Sequence, residues 1–274
     1  MSTRQEILEL DAGPDSVSQT LRDVWRYRHV LVMLARTDFH ARYKRASFGV
    51  TWAVAVPLLQ TVVMAVVFSQ FVRVPGTLNY PIFVMSGVLP WAYFSSVVSG
   101  GGTGIVDGTA LTDKVWFPRA LLPLQPALAN LVALGVTIVV LVAALPVFGE
   151  PIGLRTLLLV PACLLLFAFT TSVSLVLAAL HVYFRDVRFL VQAGLILWFY
   201  ATPVIYPVKL VGRLQTVIAL NPLTGVISLF HLATAGADVH WVRALVVTVL
   251  TTIALAVIAV ETYRRYDRLF VDRL

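Results

Sequence analysis

Seven long stretches of this chain contain no charged side chain, and they constrain the fold more than any other feature. A helix needs about 20 apolar residues to cross the hydrocarbon core of a bilayer, and a charge at mid-membrane is costly. Only 13% of the 274 residues are charged, against roughly 25% in soluble domains. We therefore predict an all-α integral membrane protein. The seven stretches are Ala46–Val72, Val74–Val106, Ala120–Gly149, Thr156–Phe184, Phe189–Val208, Leu214–Ala237 and Ala244–Val260.

The stretch Leu214–Ala237 is predicted not to cross the membrane in one piece. It contains the turn-forming pair Asn221-Pro222 together with Gly225 and Gly236, and proline removes a backbone hydrogen bond from a helix. Two short helices that enter the membrane and return fit this pattern better than one spanning helix, because protein can cover the broken backbone at that depth. The prediction is six transmembrane helices, with short re-entrant helices between the fifth and the sixth.

The positive charges favour the same count of six. The formal net charge is +7, and lysine and arginine collect on the cytosolic loops of membrane proteins. With six spans and both termini in the cytosol, most lysines and arginines lie on the cytosolic side, whereas a seventh span makes the division more even. This rule also accounts for the basic character of the chain without a nucleic-acid partner. The start, Met1–Gln19, is polar and acidic rather than signal-like, so we expect the N-terminus of this multi-pass protein to stay in the cytosol.

Three parts are predicted along the chain. Residues 1–45 form a cytosolic N-terminus, and its second half, Val17–Arg45, has the apolar and arginine pattern of an amphipathic helix at the membrane interface. Residues 46–263 form the six-span domain, and residues 264–274 form a basic cytosolic tail. Simple attraction to anionic membrane lipids also accounts for the basic helix, and that interpretation stays open.

Catalytic and metal-binding patterns are missing from the sequence. None of the lysines follows a glycine, so there is no Walker loop for nucleotide phosphates. The histidines are scattered, Cys163 is the single cysteine, and no paired carboxylates lie within a predicted span. Ion-coupled carriers usually place an ionisable residue near mid-membrane. We therefore expect a chain that is not an enzyme, binds no metal or cofactor itself, and takes the energy for active transport from another subunit.

Three groups of short motifs, in their order and spacing, resemble the membrane subunit of ABC exporters for O-antigen, teichoic acid and related lipid-linked polysaccharides. The resemblance extends from about Arg22 to the last span and covers most of the chain. The motifs are Arg42–Trp52 with Pro57–Gln60; Tyr80–Phe83, Ser86–Trp91, Asp113–Arg119 and Leu122-Pro123; and Phe184–Arg188, Thr202–Pro207 and Leu220–Thr224.

This resemblance implies a homodimer that binds two copies of a separate ATPase subunit, and it places ATP and Mg on that subunit. It implies six spans and re-entrant helices, in agreement with the count above. It also implies a glycan carried on a polyprenyl diphosphate, which is moved from the cytosolic to the outer side of the bacterial inner membrane. The abundance of arginine, alanine and valine is typical of a GC-rich genome, and on that ground a galactan precursor of an actinobacterial cell wall is one candidate glycan.

Two sets of candidate site residues lie on the cytosolic side. A basic cluster at the headgroup level suits phosphate oxygens, although it is also typical of charge that determines topology. The candidates for lipid-diphosphate recognition are Arg42, Lys44, Arg45, Arg26 and Arg28. The resemblance implies that the loop between the second and third spans docks on the ATPase. The candidate coupling residues are Asp107, Asp113, Lys114, Phe117, Pro118 and Arg119.

Aromatic residues in or near the spans are candidates for a glycan path, because rings with polar edges stack on sugar faces; an aromatic belt at the membrane interface is the alternative interpretation. The path candidates are Trp52, Trp91, Tyr93, Phe94, Trp198, Tyr200 and Tyr206. The external gate candidates are Asn221, Pro222 and His231, and the resembled family often carries a basic residue near the position of His231. In the second cytosolic turn, Asp186 is expected to pair with a neighbouring arginine, with contact to the ATPase as the alternative.

Two other functions stay open on the sequence alone. One is an ABC permease for drugs or small lipids, which has a similar plan of spans. The other is a membrane-embedded transferase that acts on polyprenyl carriers. A transferase needs acids or histidines clustered at one membrane face, and the sequence offers little of that kind there.

Overall fold

The structure is a computed structural model that describes residues 16–44, 47–49, 51–71, 79–108, 117–236 and 241–266. Within these ranges the chain forms helices and connecting turns and no β-strand, so the predicted all-α class is confirmed. The helices are α1 Val17–Arg26, α2 Arg28–Tyr43, α3 Thr51–Phe71, α4 Tyr80–Gly101, α5 Gly104–Asp107, α6 Leu121–Ala129, α7 Leu131–Val147, α8 Leu159–Tyr183, α9 Val187–Ala201, α10 Gln215–Ala219, α11 Thr224–Thr234 and α12 Trp241–Tyr266, with 3₁₀ turns at Leu154–Leu158 and Val208–Leu214.

Four helical segments in the described part of the chain are long and apolar enough to cross a membrane. They coincide with the second, third, fourth and last predicted spans. The first and fifth predicted spans coincide with α3 and α9, whose described apolar segments are shorter. The four segments are Tyr80–Gly101, Leu121–Val147, Leu154–Tyr183 and Trp241–Arg265. The chain is therefore a membrane protein, and its count of six spans stays a prediction.

Helix α4 is the centre of the bundle. It packs against α3, α7, α8 and α11, and most of its side chains are buried. Its small residues let neighbouring backbone come close. A Cβ atom added to Gly87 would lie 2.3 Å from the carbonyl oxygen of Val204, a distance that real Cβ atoms do not adopt. Gly87 therefore fixes how closely α4 approaches the segment that follows α9.

The stretch Leu214–Ala237 is broken as the sequence predicts. Helix α10 ends at Ala219, the backbone turns at Asn221-Pro222, and α11 then runs from Thr224 to Thr234. Nearly every residue of α11 is buried, because the helix packs against α4, α8 and α12. The helix that follows the break is thus covered by protein on nearly all sides.

The N-terminal region forms two helices, α1 and α2, and not the single amphipathic helix predicted over Val17–Arg45. Ser16 caps α1 by accepting a hydrogen bond from the Gln19 backbone N–H at 3.2 Å, and Tyr27 leaves helical geometry between the two helices. Helix α2 packs against α6. Its buried residues Leu31 and Ala35 lie on the packed face.

Polar contacts identify which connections share an end of the bundle. The Asn79 side-chain amide, just before α4, donates to the Phe148 carbonyl, just after α7. At the opposite end of α4, Asp107 forms an ion pair with Arg188 at the start of α9. The helices therefore alternate in direction, with the Asn79 end opposite the Asp107 end.

Candidate functional site

An aromatic cluster joins α4, α8 and α9. Phe94 is fully buried at its centre. The ring centroid of Phe94 lies 5.4 Å from Trp91, 5.2 Å from Trp198 and 5.9 Å from Phe169, and Trp91 also meets Phe199 at 5.3 Å. Rings at these separations attract each other beyond their burial. The cluster therefore holds the α4–α8–α9 packing rigid.

Three of the predicted path residues are packing residues in the single chain. Trp91, Tyr93 and Phe94 are all buried, and the Tyr93 hydroxyl donates a hydrogen bond to the Ala127 carbonyl at 3.0 Å. Trp91 and Tyr93 line the first of two surface grooves, but all three side chains present little of their own area. We define these grooves by the helices that flank them.

The first groove, the α3–α4 groove, has a volume of about 340 Å³. Its lining mixes rings with hydrogen-bonding groups, including Trp52 and Gln60 from α3 and Ser96 from α4. Asn130 closes one side of this groove. The Asn130 amide nitrogen donates to the Pro126 carbonyl at 2.7 Å, and its oxygen accepts from the Ser96 hydroxyl at 3.1 Å. A groove of this composition suits a ligand with both apolar faces and hydroxyl groups.

The second groove, the α9–α10 groove, measures about 580 Å³. It brings together predicted path residues Trp198, Tyr200 and Tyr206 with predicted gate residues Asn221 and Pro222. Tyr200 is 59% exposed, while the Tyr206 hydroxyl donates to the Tyr200 carbonyl at 2.9 Å. The sequence therefore identified a group of residues that does meet in space at the break between α10 and α11.

Asn221 ties α9 to this break through its whole side chain. Its oxygen accepts hydrogen bonds from the Trp198 indole N–H at 2.9 Å and from the Leu223 backbone N–H at 3.1 Å. Its nitrogen donates to the Ala201 carbonyl at 3.1 Å and to the Thr202 hydroxyl at 2.9 Å. An asparagine amide that is satisfied on both atoms cannot turn without losing several bonds. Asn221 therefore fixes the position of the break against α9.

His231 lies apart from the other two gate candidates. It is 1% exposed between α11 and α4, and its ring stacks on Phe83 with the centroids 3.8 Å apart. It does not line the α9–α10 groove. The structure therefore places Asn221 and Pro222 at a surface groove and His231 in the core.

The basic candidates at the opposite end of the bundle have separate surroundings. Arg42 pairs with Asp38 at 2.8 Å, and its guanidinium lies 3.6 Å from the position that a Cβ atom on Gly100 would take. Arg28 instead lies over the Trp25 ring at 5.1 Å and donates to the Trp25 carbonyl. Arg26 and Lys44 are exposed, and Arg45 lies outside the described residues. Only Arg42 of this set is shown next to α4.

The predicted coupling loop is described at its two ends, while Asp113 and Lys114 lie outside the described residues. Phe117, Pro118 and Arg119 are buried. Phe117 belongs to a cluster with Leu31 of α2 and with the first turn of α6. It is therefore a packing residue that joins the loop to α2.

The sequence analysis considered Arg188 only as a neighbour that could pair with Asp186. Arg188 instead pairs with Asp107 at 2.7 Å, 81 positions away in the sequence, so the expected local pair is wrong for Arg188. The charge directly before the fifth predicted span was the available signal, but its partner depends on how α4, α5 and α9 pack. The ion pair connects the two cytosolic turns predicted from the sequence.

Among the residues that the structure describes, no group of three or more histidine, cysteine, aspartate or glutamate side chains is arranged to hold a metal ion.

Comparison with known proteins identifies the family. The family model for ABC-2 type transporters matches residues 29–234. A relative from Myxococcus xanthus, named O-antigen export system permease protein RfbA, is 31% identical over 214 residues, which is 77% of this chain and 82% of the relative. A protein of the same name from Klebsiella pneumoniae is 30% identical over 200 residues, covering 72% of this chain and 77% of the relative. The chain therefore belongs to the ABC-2 type transporter family of membrane proteins.

Proposed function

We propose that this chain is the permease subunit of an ATP-driven ABC exporter that moves a polyprenyl-diphosphate-linked polysaccharide out of the bacterial cytosol. The observation that carries the proposal is the similarity to named O-antigen export permeases over 77% of the chain. The two aromatic grooves support it, because rings edged by hydroxyl and amide groups suit sugar faces.

The proposed assembly is a homodimer with two copies of an ATPase subunit, in the inner membrane, with both termini cytosolic. Each groove is open along one side in the single chain, so it needs a second wall to become a closed path. A second copy of the chain would supply that wall. Six spans, with α10 and α11 as re-entrant helices on the outer side, fit the alternation of the helices.

Energy for export is proposed to come from ATP hydrolysis in the partner, through the loop between α5 and α6. Two contacts support this route. Phe117 packs the end of the loop against α2, and Asp107 pairs its start with α9 through Arg188. Displacement of the loop would therefore move both α2 and α9. Such motion is transmitted when the packed helices switch between two alternative arrangements.

Co-purification tests the proposed assembly. The tagged chain is extracted from its native membrane in mild detergent, and its stoichiometric partners and their ATP hydrolysis are measured. We expect an ABC ATPase at equal stoichiometry. Lys114→Glu in the coupling loop should lower its recovery, whereas Lys209→Glu, an exposed lysine at the opposite end of the bundle, should not. Recovery of a folded permease with no ATPase would contradict the proposal.

The glycan path makes a separate prediction at Tyr200. Tyr200→Ala removes an exposed ring from the α9–α10 groove, so glycan export should fall about fivefold, equivalent to ~1 kcal/mol of ring–sugar stacking. Stability should change by less than about 0.5 kcal/mol, as for other surface substitutions. Surface glycan is measured in cells at matched permease levels.

Phe148→Ala is the matched control, because it removes another exposed ring at the same end of the bundle that does not line the groove. Equal loss of export in the two variants would contradict a role for the groove in sugar passage.

A further inference from the structure

A polar cavity of about 250 Å³ lies between the last turn of α4 and the first turns of α9. It is separate from the two aromatic grooves and lies at the end of the bundle that carries the coupling loop. Hydrogen-bonding groups line much of it: the Ser99 hydroxyl on α4, the Thr103 hydroxyl between α4 and α5, and the Arg188 and Gln192 side chains on α9. This lining offers a cation and several neutral donors to one small volume.

The charge of Arg188 is held there by an exchangeable partner. Its guanidinium contacts the Asp107 carboxylate at 2.7 Å, but about half of each side chain is exposed. Ion pairs at such exposure contribute little to stability, since water competes for both charges. An incoming anion with more than one oxygen can therefore replace the carboxylate at small cost.

A second arginine borders the same turn of α4. The Arg42 guanidinium lies next to Gly100, the residue that follows Ser99, and it too is paired with a carboxylate, that of Asp38, at 2.8 Å. Two guanidinium groups, each paired with one carboxylate, thus lie beside one helical turn. Guanidinium forks match phosphate oxygens two at a time.

We propose that this cavity binds the phosphate-bearing headgroup of the exported lipid, with Arg188 as its main ligand and Arg42 on the flanking face. The inference rests on the proposed function and deepens it by placing the diphosphate. A diphosphate suits the site better than a single phosphate, because it has oxygens for both arginines and for the Ser99, Thr103 and Gln192 donors.

Binding would also carry a signal to the coupling loop. When phosphate oxygens bind the Arg188 guanidinium, Asp107 loses its ion-pair partner. Asp107 ends α5, directly before the loop proposed to contact the ATPase. Occupation of the cavity therefore releases the start of that loop from α9. The change in the loop would signal to the ATPase subunit that substrate is bound.

The test is binding of farnesyl diphosphate to the full-length permease in phosphatidylcholine nanodiscs, measured by calorimetric titration. Arg188→Gln should weaken binding about tenfold, the effect of losing one charge-assisted contact. Asp107→Asn should tighten binding about threefold, because it frees Arg188 from its competitor. Arg185→Gln is the matched control, since it makes the same charge change in an exposed side chain that does not line the cavity, and it should bind like the unaltered chain.

Asp107→Asn is expected to tighten binding, and poor folding cannot produce that result. The test therefore does not depend on whether Arg188→Gln folds well. Equal affinity of the Arg188→Gln, Asp107→Asn and unaltered chains would overturn the proposal. So would displacement of the probe by phosphatidylglycerol at the same concentrations, because the cavity would then take an ordinary phospholipid headgroup. If Arg188→Gln loses binding of the probe but still exports glycan at the normal level, this inference alone is refuted. If the unaltered chain binds the probe through Arg188 but recovers no ATPase and exports no glycan, the proposed function is refuted instead.

Discussion

Gly87→Ala is expected to lower the free energy of unfolding by ~3 kcal/mol or more, the upper range for overpacking a well-packed core. The added methyl carbon would lie 2.3 Å from the Val204 carbonyl oxygen and 3.0 Å from the Val204 carbonyl carbon. Backbone atoms cannot rotate away as a side chain does. The substitution must therefore push α4 from the segment after α9, where Val204 is fully buried.

The consequence extends beyond the local contact, because His231 lies on the same side of α4. Its Nε2 atom would be 3.1 Å from the new carbon, and its ring is stacked on Phe83. A shift of α4 would break that stacking and open the contact between α4 and α11. We expect reduced recovery of folded protein and a lower midpoint in a denaturing SDS titration of mixed micelles.

Gly135→Ala is the matched control for this prediction. Gly135 lies inside α7, and nothing is within 4 Å of the position that its Cβ atom would take. Alanine is favoured over glycine in a helix interior by about 1 kcal/mol, so this variant should be as stable as the unaltered chain or more so. Equal losses in the two variants would show that glycine itself, and not the contact with Val204, matters.

The four long apolar helices and the break after α10 could be predicted because each depends on local sequence. A charge-free stretch of sufficient length forms an apolar helix whatever packs beside it, and Asn221-Pro222 interrupts a helix by its own chemistry. The same reasoning grouped Trp198, Tyr200 and Tyr206 with the break. These residues are close in sequence, so the turn after α9 brings them together.

Residues whose roles depend on packing could not be placed in this way. Phe94 and Tyr93 resemble path residues by type, yet they are buried by α8 and α6, which lie far from them in sequence. The partner of Arg188 is Asp107, and no local pattern distinguishes it from the adjacent Asp186. His231 was grouped with Asn221 because the resembled family often carries a basic residue near that position, but α11 carries it into the core beside Phe83.

Asn221→Leu is expected to lower the free energy of unfolding by about 3 kcal/mol, since two donors are left without their acceptor at a partly buried site. These donors are the Trp198 indole N–H and the Leu223 backbone N–H. The Ala201 carbonyl and the Thr202 hydroxyl also lose the amide hydrogens that they accept. The free energy of unfolding is measured by SDS titration, and export is measured in the same variant.

A double-mutant cycle with Trp198→Phe separates the hydrogen bond from the size of the side chain. Trp198→Phe removes the indole donor and leaves Asn221 with its other three partners, so we expect a loss of about 1 kcal/mol from the hydrogen bond together with some loss of ring packing. Because both substitutions remove the same bond, the double variant should be less destabilised than the sum of the two by about 1 kcal/mol. Strict additivity would mean that the bond contributes nothing. Asn221 connects α9 to the break, so glycan export should fall together with stability in Asn221→Leu. Full export by the destabilised variant would show that the break moves independently of α9.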